Sequence, residues 1–369
     1  MIRRIFIAVV VLHGLIHLMG FAKGFGLAEL SQLTQPISRA MGAVWLGAAL
    51  LMLGTAVALV IAPRWWWAVG AIALIVSQIA ILGSWHDAWY GTLANAIVLV
   101  GALYGVLALG PWSLHAAYER AVAHAPPVAA RAVLTDEDLA PLPAPVQRYV
   151  RAAGVIGKPK VHDFHATWTG RIRASATAPW MTFVAEQHNT IDPPRRFFMM
   201  DARMKGLPVA VLHAFGAEGA TMRVKLLSAF GMVNAAGADL TRAETVTLFN
   251  DLCLFAPGAL VSPAIAWEPI DDRAARARFT LGANTISAEL RFDAGDQLVD
   301  FVSDDRGAAS TDGRTFTAQR WTTPVRDYAQ VGPARVATHG EARWHPATGE
   351  YAYGEFDLTS LAYDVAPRA

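Results

Sequence analysis

His13 and His17 stand four residues apart inside an uncharged run. On a helix, residues so spaced share a face. Two imidazoles in that arrangement can hold a metal ion or a haem iron, or pass a proton. Gln78, Asn95 and the adjacent His86 and Asp87 are the polar groups that could join them. A second constellation lies far downstream. Glu244 and Asp251 are seven residues apart, about two helical turns, with Asn250 beside them. Paired carboxylates suit general acid–base work, or they can grip a guanidinium such as Arg306 of Asp304-Asp305-Arg306. Thr241 three residues before Glu244 also makes a capping box, in which the carboxylate serves only the helix end.

Other candidates carry less. Glu186 and His188 alternate on one strand face and read as a solvated polar pair. His162 and His165, three apart on a strand, point to opposite faces, which disfavours joint metal ligation. Asp201, Arg203 and Lys205 read as a solvent-side ladder. There is no P-loop, dinucleotide fingerprint, nucleophile elbow or His-Glu-x-x-His motif. The one cysteine, Cys253, excludes an intramolecular disulfide and any Cys-rich metal motif. No cofactor is predicted, haem or metal at His13 and His17 being the alternative, and the balance leans away from an enzyme.

The elements that must position these residues divide the chain. Of 369 residues only 17% are charged, and mean hydropathy is +0.32. Soluble domains average about 25% charged. The deficit is uneven: residues 1–131 hold 7 of the 31 Lys and Arg and 3 of the 30 Asp and Glu. Disorder is excluded by the high hydrophobicity. A net charge of +1 gives no reason to expect a nucleic-acid partner.

Four uncharged windows in the front third predict transmembrane helices at about 4–22, 40–62, 65–85 and 90–112. Trp65, Trp66 and Trp67 on one side, and Trp85, Trp89 and Tyr90 on the other, fit interfacial belts. With the N-terminus inside, Arg3, Arg4, Arg64, Arg120 and Arg131 lie on the inner side and Lys23 and Arg39 on the outer. This bias predicts a multi-pass protein of the inner (plasma) membrane with a cytoplasmic C-terminal domain. His17, Gln78 and Asn95 then fall at similar depth. They make a polar cluster with His13, capped by His86 and Asp87, that serves either as a site or as interhelical hydrogen bonding.

A Pro/Ala-rich linker spans 119–145, between a membrane domain over 1–118 and a β-rich domain over 146–369. Val146, Tyr149, Val150 and Ala153 predict a short helix that Gly154 closes. Beyond Pro159 the period becomes two. Strands are expected near 161–172, 180–191, 196–204, 208–214, 220–226, 315–323, 334–344 and 351–358, with a three-strand meander over 273–304. One helix, from Thr241 to Pro257, interrupts them. The expected architecture is α + β: a four-helix transmembrane bundle, then a curved antiparallel sheet resembling a half-barrel with a helix in or on it. Trp168, Phe183, Phe197, Phe198, Met199, Met200 and Met222 sit on the strands. They form core, or line a concave wall suited to an acyl chain.

The segments HGLIHLMGFAKGFG, SWHDAWYGTLAN, LPAPVQRYVRAAGVIGKP, ETVTLFNDLCLFAPGAL and IAWEPID resemble an uncharacterised bacterial membrane-protein family. Its members pair four N-terminal membrane helices with a β-rich domain of unknown function. The resemblance covers nearly the whole chain and implies no catalytic residues. At fold level the strand-rich part is similar to lipoprotein-carrier half-barrels. The expected function is a membrane-tethered β-domain that binds a lipid or other apolar small molecule, with membrane lipids as partners. The alternatives are a membrane enzyme or redox protein using the histidines, and a structural or signalling scaffold.

Overall fold

The computed structural model describes residues 2–123, 132–310 and 312–365. By its internal contacts the chain separates into two units, Met1–Ala116 and Ala117–Ala369. The first begins with α1 (Ile2–Gly24), α2 (Arg39–Ile61), α3 (Trp66–Leu82), the single turn α4 (Trp85–Ala88) and α5 (Gly91–Leu109); α6 (Leu114–Ala123) follows. Among the described residues three helical stretches are long and apolar enough to cross a membrane: Ile2–Gly24, Arg39–Ile61, and Gly91–Ala123, where α5 runs on into α6.

The expected third helix is shorter than read. Gly83 closes α3 after 17 residues, and Ser84 separates it from α4. At about 1.5 Å per residue α3 is about 25 Å long. Helix α1 packs on α2, α2 on α3 and α3 on α5, around Val10, Met52, Ala56, Ala73 and Val98. Leu12, Leu50, Ile75 and Val100 point outward and are exposed. Where α1 meets α2 the backbones touch. A Cβ on Gly24 would lie 2.8 Å from the Cα of Gly42, a close approach that only small residues allow.

The second unit holds the expected short helix and strands, with changes. Residues 124–131, the centre of the expected linker, lie outside the described residues. Residues 132–142 are not a spacer, because they pack into the β-domain. The Leu134 N–H donates to the Lys158 carbonyl at 2.9 Å, and Leu134, Leu139 and Leu142 are buried. Helix α7 (Ala144–Ala152) matches the short amphipathic pattern, and its Tyr149 hydroxyl donates to the Cys253 carbonyl at 2.8 Å.

The strands are β1 (Asp163–Ile172), β2 (Met181–Thr190), β3 (Arg195–Met204), β4 (Leu207–Gly216), β5 (Gly219–Leu226) and β6 (Phe230–Ala236). Helix α8 (Ala238–Phe255) intervenes. Then come β7 (Ile265–Asp271), β8 (Ala274–Leu281), β9 (Asn284–Phe292), β10 (Leu298–Ser303), β11 (Gly307–Ala309), β12 (Phe316–Ala318), β13 (Trp321–Thr322), β14 (Val325–Val331), β15 (Ala334–Trp344) and β16 (Tyr351–Tyr363). Fourteen form one antiparallel sheet in the order β6-β5-β4-β3-β2-β1-β16-β15-β13-β10-β9-β8-β7, with β14 beside β15. The sheet does not close. Helix α8 touches β5 and β6 from one flank, β9 and β10 from the other, and β15 between them. The sheet therefore curls around the helix.

The strands the sequence concealed are mainly the sheet's margins. β6 carries Gly231 and β7 carries Pro269, both weak strand formers that an edge tolerates. The expected strand at 315–323 is broken into β12 and β13. The expected capping box also does not form. The helix starts three residues earlier, at Ala238 after Gly237 (φ 112°). Thr241 sits inside the first turns, where its hydroxyl donates to the Gly237 carbonyl and accepts from the Ala220 N–H. Glu244 is thereby released from capping to face the sheet.

Candidate functional site

Helix α8 turns two unlike faces to the sheet. Phe249 stacks on Phe279 at 4.9 Å and meets Phe301 edge-on, closing a dry core against β8 and β10. The opposite face carries Glu244, Thr247, Asn250, Asp251 and Leu254 toward the other half of the sheet. Period two on β3 brings Arg196, Phe198, Met200, Ala202 and Met204 to that side. In register beside them on β4 come His213, Val211 and Val209. Between helix and sheet lies a cavity of about 530 Å3. Its wall is chiefly apolar, with Met200, Met222, Phe255, Trp321 and Phe356 prominent. Ile172 ends β1, Met181 begins β2, Met204 ends β3, Val209 is near the start of β4, and Met232 is near the start of β6. The cavity therefore runs to one end of the sheet. Of the aromatic and Met residues expected to form a wall, Trp168, Phe198, Met200 and Met222 border it; Phe183, Phe197 and Met199 do not.

The polar groups at the helix side are closely bonded. Arg196 donates from Nε to Asp251 Oδ2 at 2.7 Å and from Nη1 to Glu244 Oε2 at 3.2 Å. His213 Nδ1 lies 3.2 Å from Glu244 Oε1. Asp251 Oδ2 also accepts from Gln187 (2.7 Å) and Asn189 (3.2 Å). Burial pushes the Glu244 carboxyl up, but His213, Arg196 and Arg306 outweigh burial and hold it at about 2. For Asp251 burial wins over Arg196 and Asn189, and its carboxyl is raised. Asn250 Oδ1 accepts from the Thr323 hydroxyl at 2.7 Å.

Among the described residues Arg306 makes no hydrogen bond to either carboxylate, although its charge helps to lower Glu244. It leaves β10 by a different path, donates from Nε to Thr247 Oγ1 at 3.1 Å, and lies over Trp321 (4.7 Å) and Trp344 (5.2 Å). Glu244, Asn250, Asp251 and Arg306 nonetheless all border the one cavity. Arg196, His213 and Gln187 escaped the sequence reading. Their signal was phase: each falls on the apolar face of its strand, in step with Phe198, Val211 and Ala185 respectively. Both carboxylates are engaged by neighbouring donors.

In the helical unit, α1, α3 and α5 share a buried network. His13 Nε2 lies 2.9 Å from Asn95 Oδ1 and 3.2 Å from Ser77 Oγ. His17 Nε2 lies 2.7 Å from Ser77 Oγ, which donates to Asn95 Oδ1 at 2.9 Å. Asn95 Nδ2 donates to Gln78 Oε1, and Gln78 Nε2 to the Thr92 hydroxyl. Ser77, a small hydroxyl inside an apolar run, was missed and is the hub. His86 and Asp87 do not cap this network. Asp87 instead accepts from the Gln35 N–H (2.8 Å), His86 (3.0 Å) and the Thr34 hydroxyl (2.7 Å), pinning the segment before α2. These bonds hold its carboxyl well below the usual range. His86 is largely exposed. Elsewhere, Glu186 pairs with His165 across β1 and β2 at 2.7 Å. Among the described residues no group of three His, Cys, Asp or Glu is placed to hold a metal.

No curated protein matches the chain. Among the solved structures that resemble it are two with 12% identity and a TM-score of 0.34 each. One is a domain described as an outer membrane lipoprotein-sorting protein of Vibrio parahaemolyticus, with 56% of this chain and 87% of that one aligned. The other is a LolA superfamily protein from Nitrosomonas europaea, with 60% and 94% aligned. Residues 132–356 match a family of unknown function, DUF6544, and the chain belongs to that family.

Proposed function

We propose that this member of the DUF6544 family is a membrane-anchored binding protein whose β-domain holds a lipid or other apolar ligand between α8 and the sheet. One observation carries the reading: about 530 Å3 of space, walled chiefly by apolar side chains with Met and aromatic residues among them, lies where a closed core would be filled. Protein interiors pack at crystal density, with few voids larger than a water molecule. The volume lies within the range of small-molecule pockets, roughly 300–1,000 Å3.

The helical unit is the anchor in this reading. We take α1, α2, α3 and α5 as four spans of an inner-type membrane, with the N-terminus and the β-domain both cytoplasmic. The support is the excess of Arg3, Arg4, Arg64, Arg120 and Arg131 over Lys23 and Arg39. The short α3 is accommodated by local thinning of the bilayer, at fractions of a kcal/mol per Å. A metal or haem at His13 and His17 is the weaker reading, because both Nε2 atoms are already engaged by Ser77 or Asn95.

The test is mass spectrometry of the purified full chain. The native protein is expected to carry a bound lipid that Ala202→Trp, which projects a large ring into the cavity, does not. Equal lipid content in the two, or none in either, overturns the reading. A reporter fused after Ala369 that is active outside the cytoplasm overturns the orientation.

A further inference from the structure

The charged groups bordering the cavity are unequally committed. Glu244 and Asp251 are engaged by Arg196, His213, Gln187 and Asn189. Glu341 is held by Arg343 at 2.7 Å. Arg173 gives Nε to the Ala352 carbonyl and Nη1 to that of Ala176. Arg306 differs. Among the described residues its one hydrogen bond is from Nε to Thr247, leaving both Nη groups without an acceptor. Its position is nonetheless fixed. The guanidinium lies over the rings of Trp321 and Trp344, which steady it by cation–π attraction. Those rings are held in turn: Trp321 Nε1 donates to the Tyr353 hydroxyl at 3.1 Å, and Trp344 stacks on Tyr353 at 5.5 Å.

A positioned guanidinium with unused Nη donors, beside an apolar hollow, matches the planar recognition of a carboxylate or phosphate. We infer that the ligand is an anionic amphiphile, its single carboxylate or phosphate head on the Nη groups of Arg306 and its chain along Phe198, Met200, Val211 and Met222. This rests on the reading of the cavity as a binding site. The carboxylates nearby do not repel such a head strongly, because Arg196 lies between them and neutralises much of their charge.

The experiment uses the full chain in zwitterionic phosphatidylcholine nanodiscs, with empty discs as background. Direct binding is measured for radiolabelled hexadecanoate, hexadecyl phosphate and the neutral methyl hexadecanoate. At least one anionic probe is expected to bind tenfold or more tightly than the ester, and the tighter of the two anions identifies the head. In Arg306→Gln that preference collapses to within about threefold through loss of anion binding. Arg306→Lys, which keeps the charge and loses the planar fork, retains part of the preference. Equal binding of ester and anions by the native chain overturns the inference and leaves the binding site standing. Binding of none of the three overturns the site itself. Acetate or inorganic phosphate displacing the anionic probe at matching concentration also overturns it, because the site then reads a free anion. The native-chain comparison decides the matter even if Arg306→Gln does not fold.

Discussion

Arg196 and Asp251 meet at 2.7 Å, and the same guanidinium reaches Glu244, two turns earlier on α8. One side chain of β3 thus ties both carboxylates of the helix to the sheet. All three are buried. Removing one member of a buried ion cluster strands the others, at a cost of about 3–5 kcal/mol. Arg196→Met is expected to lose about that much in denaturant unfolding of the full chain, followed by tryptophan fluorescence. Adding Glu244→Gln and Asp251→Asn to it is expected to restore most of the loss.

Glu244 sets an acid limit. Its carboxyl is at about 2 in the fold against an ordinary 4.5. A depressed carboxylate contributes stability that is fully present above pH 4.5 and disappears as pH falls toward 2. Unfolding measured across that window is expected to show a shallower acid-side decline in Glu244→Gln than in the native chain. Parallel curves would contradict the assignment.

Asp300 acts with the opposite sign. Burial raises its carboxyl to about 6 from 3.8, against the weaker pull of Arg291 and of the Phe301 and Thr323 backbone. Its Oδ1 is buried without a partner. Stability from a raised acid is present below pH 3.8 and lost as pH rises through 6. Asp300→Asn is therefore expected to stabilise the protein by about 1–3 kcal/mol at pH 7.5 and to change little at pH 3.5. A loss at pH 7.5 would show that the carboxylate has a use.

In the helical unit Asn95 joins α5 to both α1 and α3. Asn95→Leu removes three of the network's bonds while keeping an apolar side chain. Interhelical hydrogen bonds of this kind are worth about 0.6–2 kcal/mol. A loss in that range is expected when the chain is unfolded in mixed micelles. His13→Leu, which breaks fewer bonds, is expected to cost less.

Periodicity made the architecture legible where burial is one-sided. β8 and β9 alternate cleanly because one face is buried in the core and the other is turned outward. It failed at β6 and β7, whose Gly and Pro are tolerated because a margin has a neighbour on one side only. The site was half legible. Glu244 and Asp251 announced a shared helix face through their spacing. Their true partner was hidden because Arg196 pairs across 48 and 55 residues of chain, and local spacing carries no trace of strand order. Ser77 was hidden for a different reason: a single hydroxyl barely changes an apolar run, and only the packing of α1 against α3 and α5 gives it a role.

The walls of the hollow beside α8 are also the protein's own core, since Phe198, Met200, Val211 and Phe255 belong to both. On the proposed reading, ligand and fold are then a single thermodynamic variable. A molecule that enters replaces water against those side chains and adds to native stability as the logarithm of its saturation, about 2.7 kcal/mol at a hundredfold excess over Kd. If the proposal holds, the unloaded protein is the softer one, and hydrogen exchange along β3 to β5 is expected to gauge how full it is.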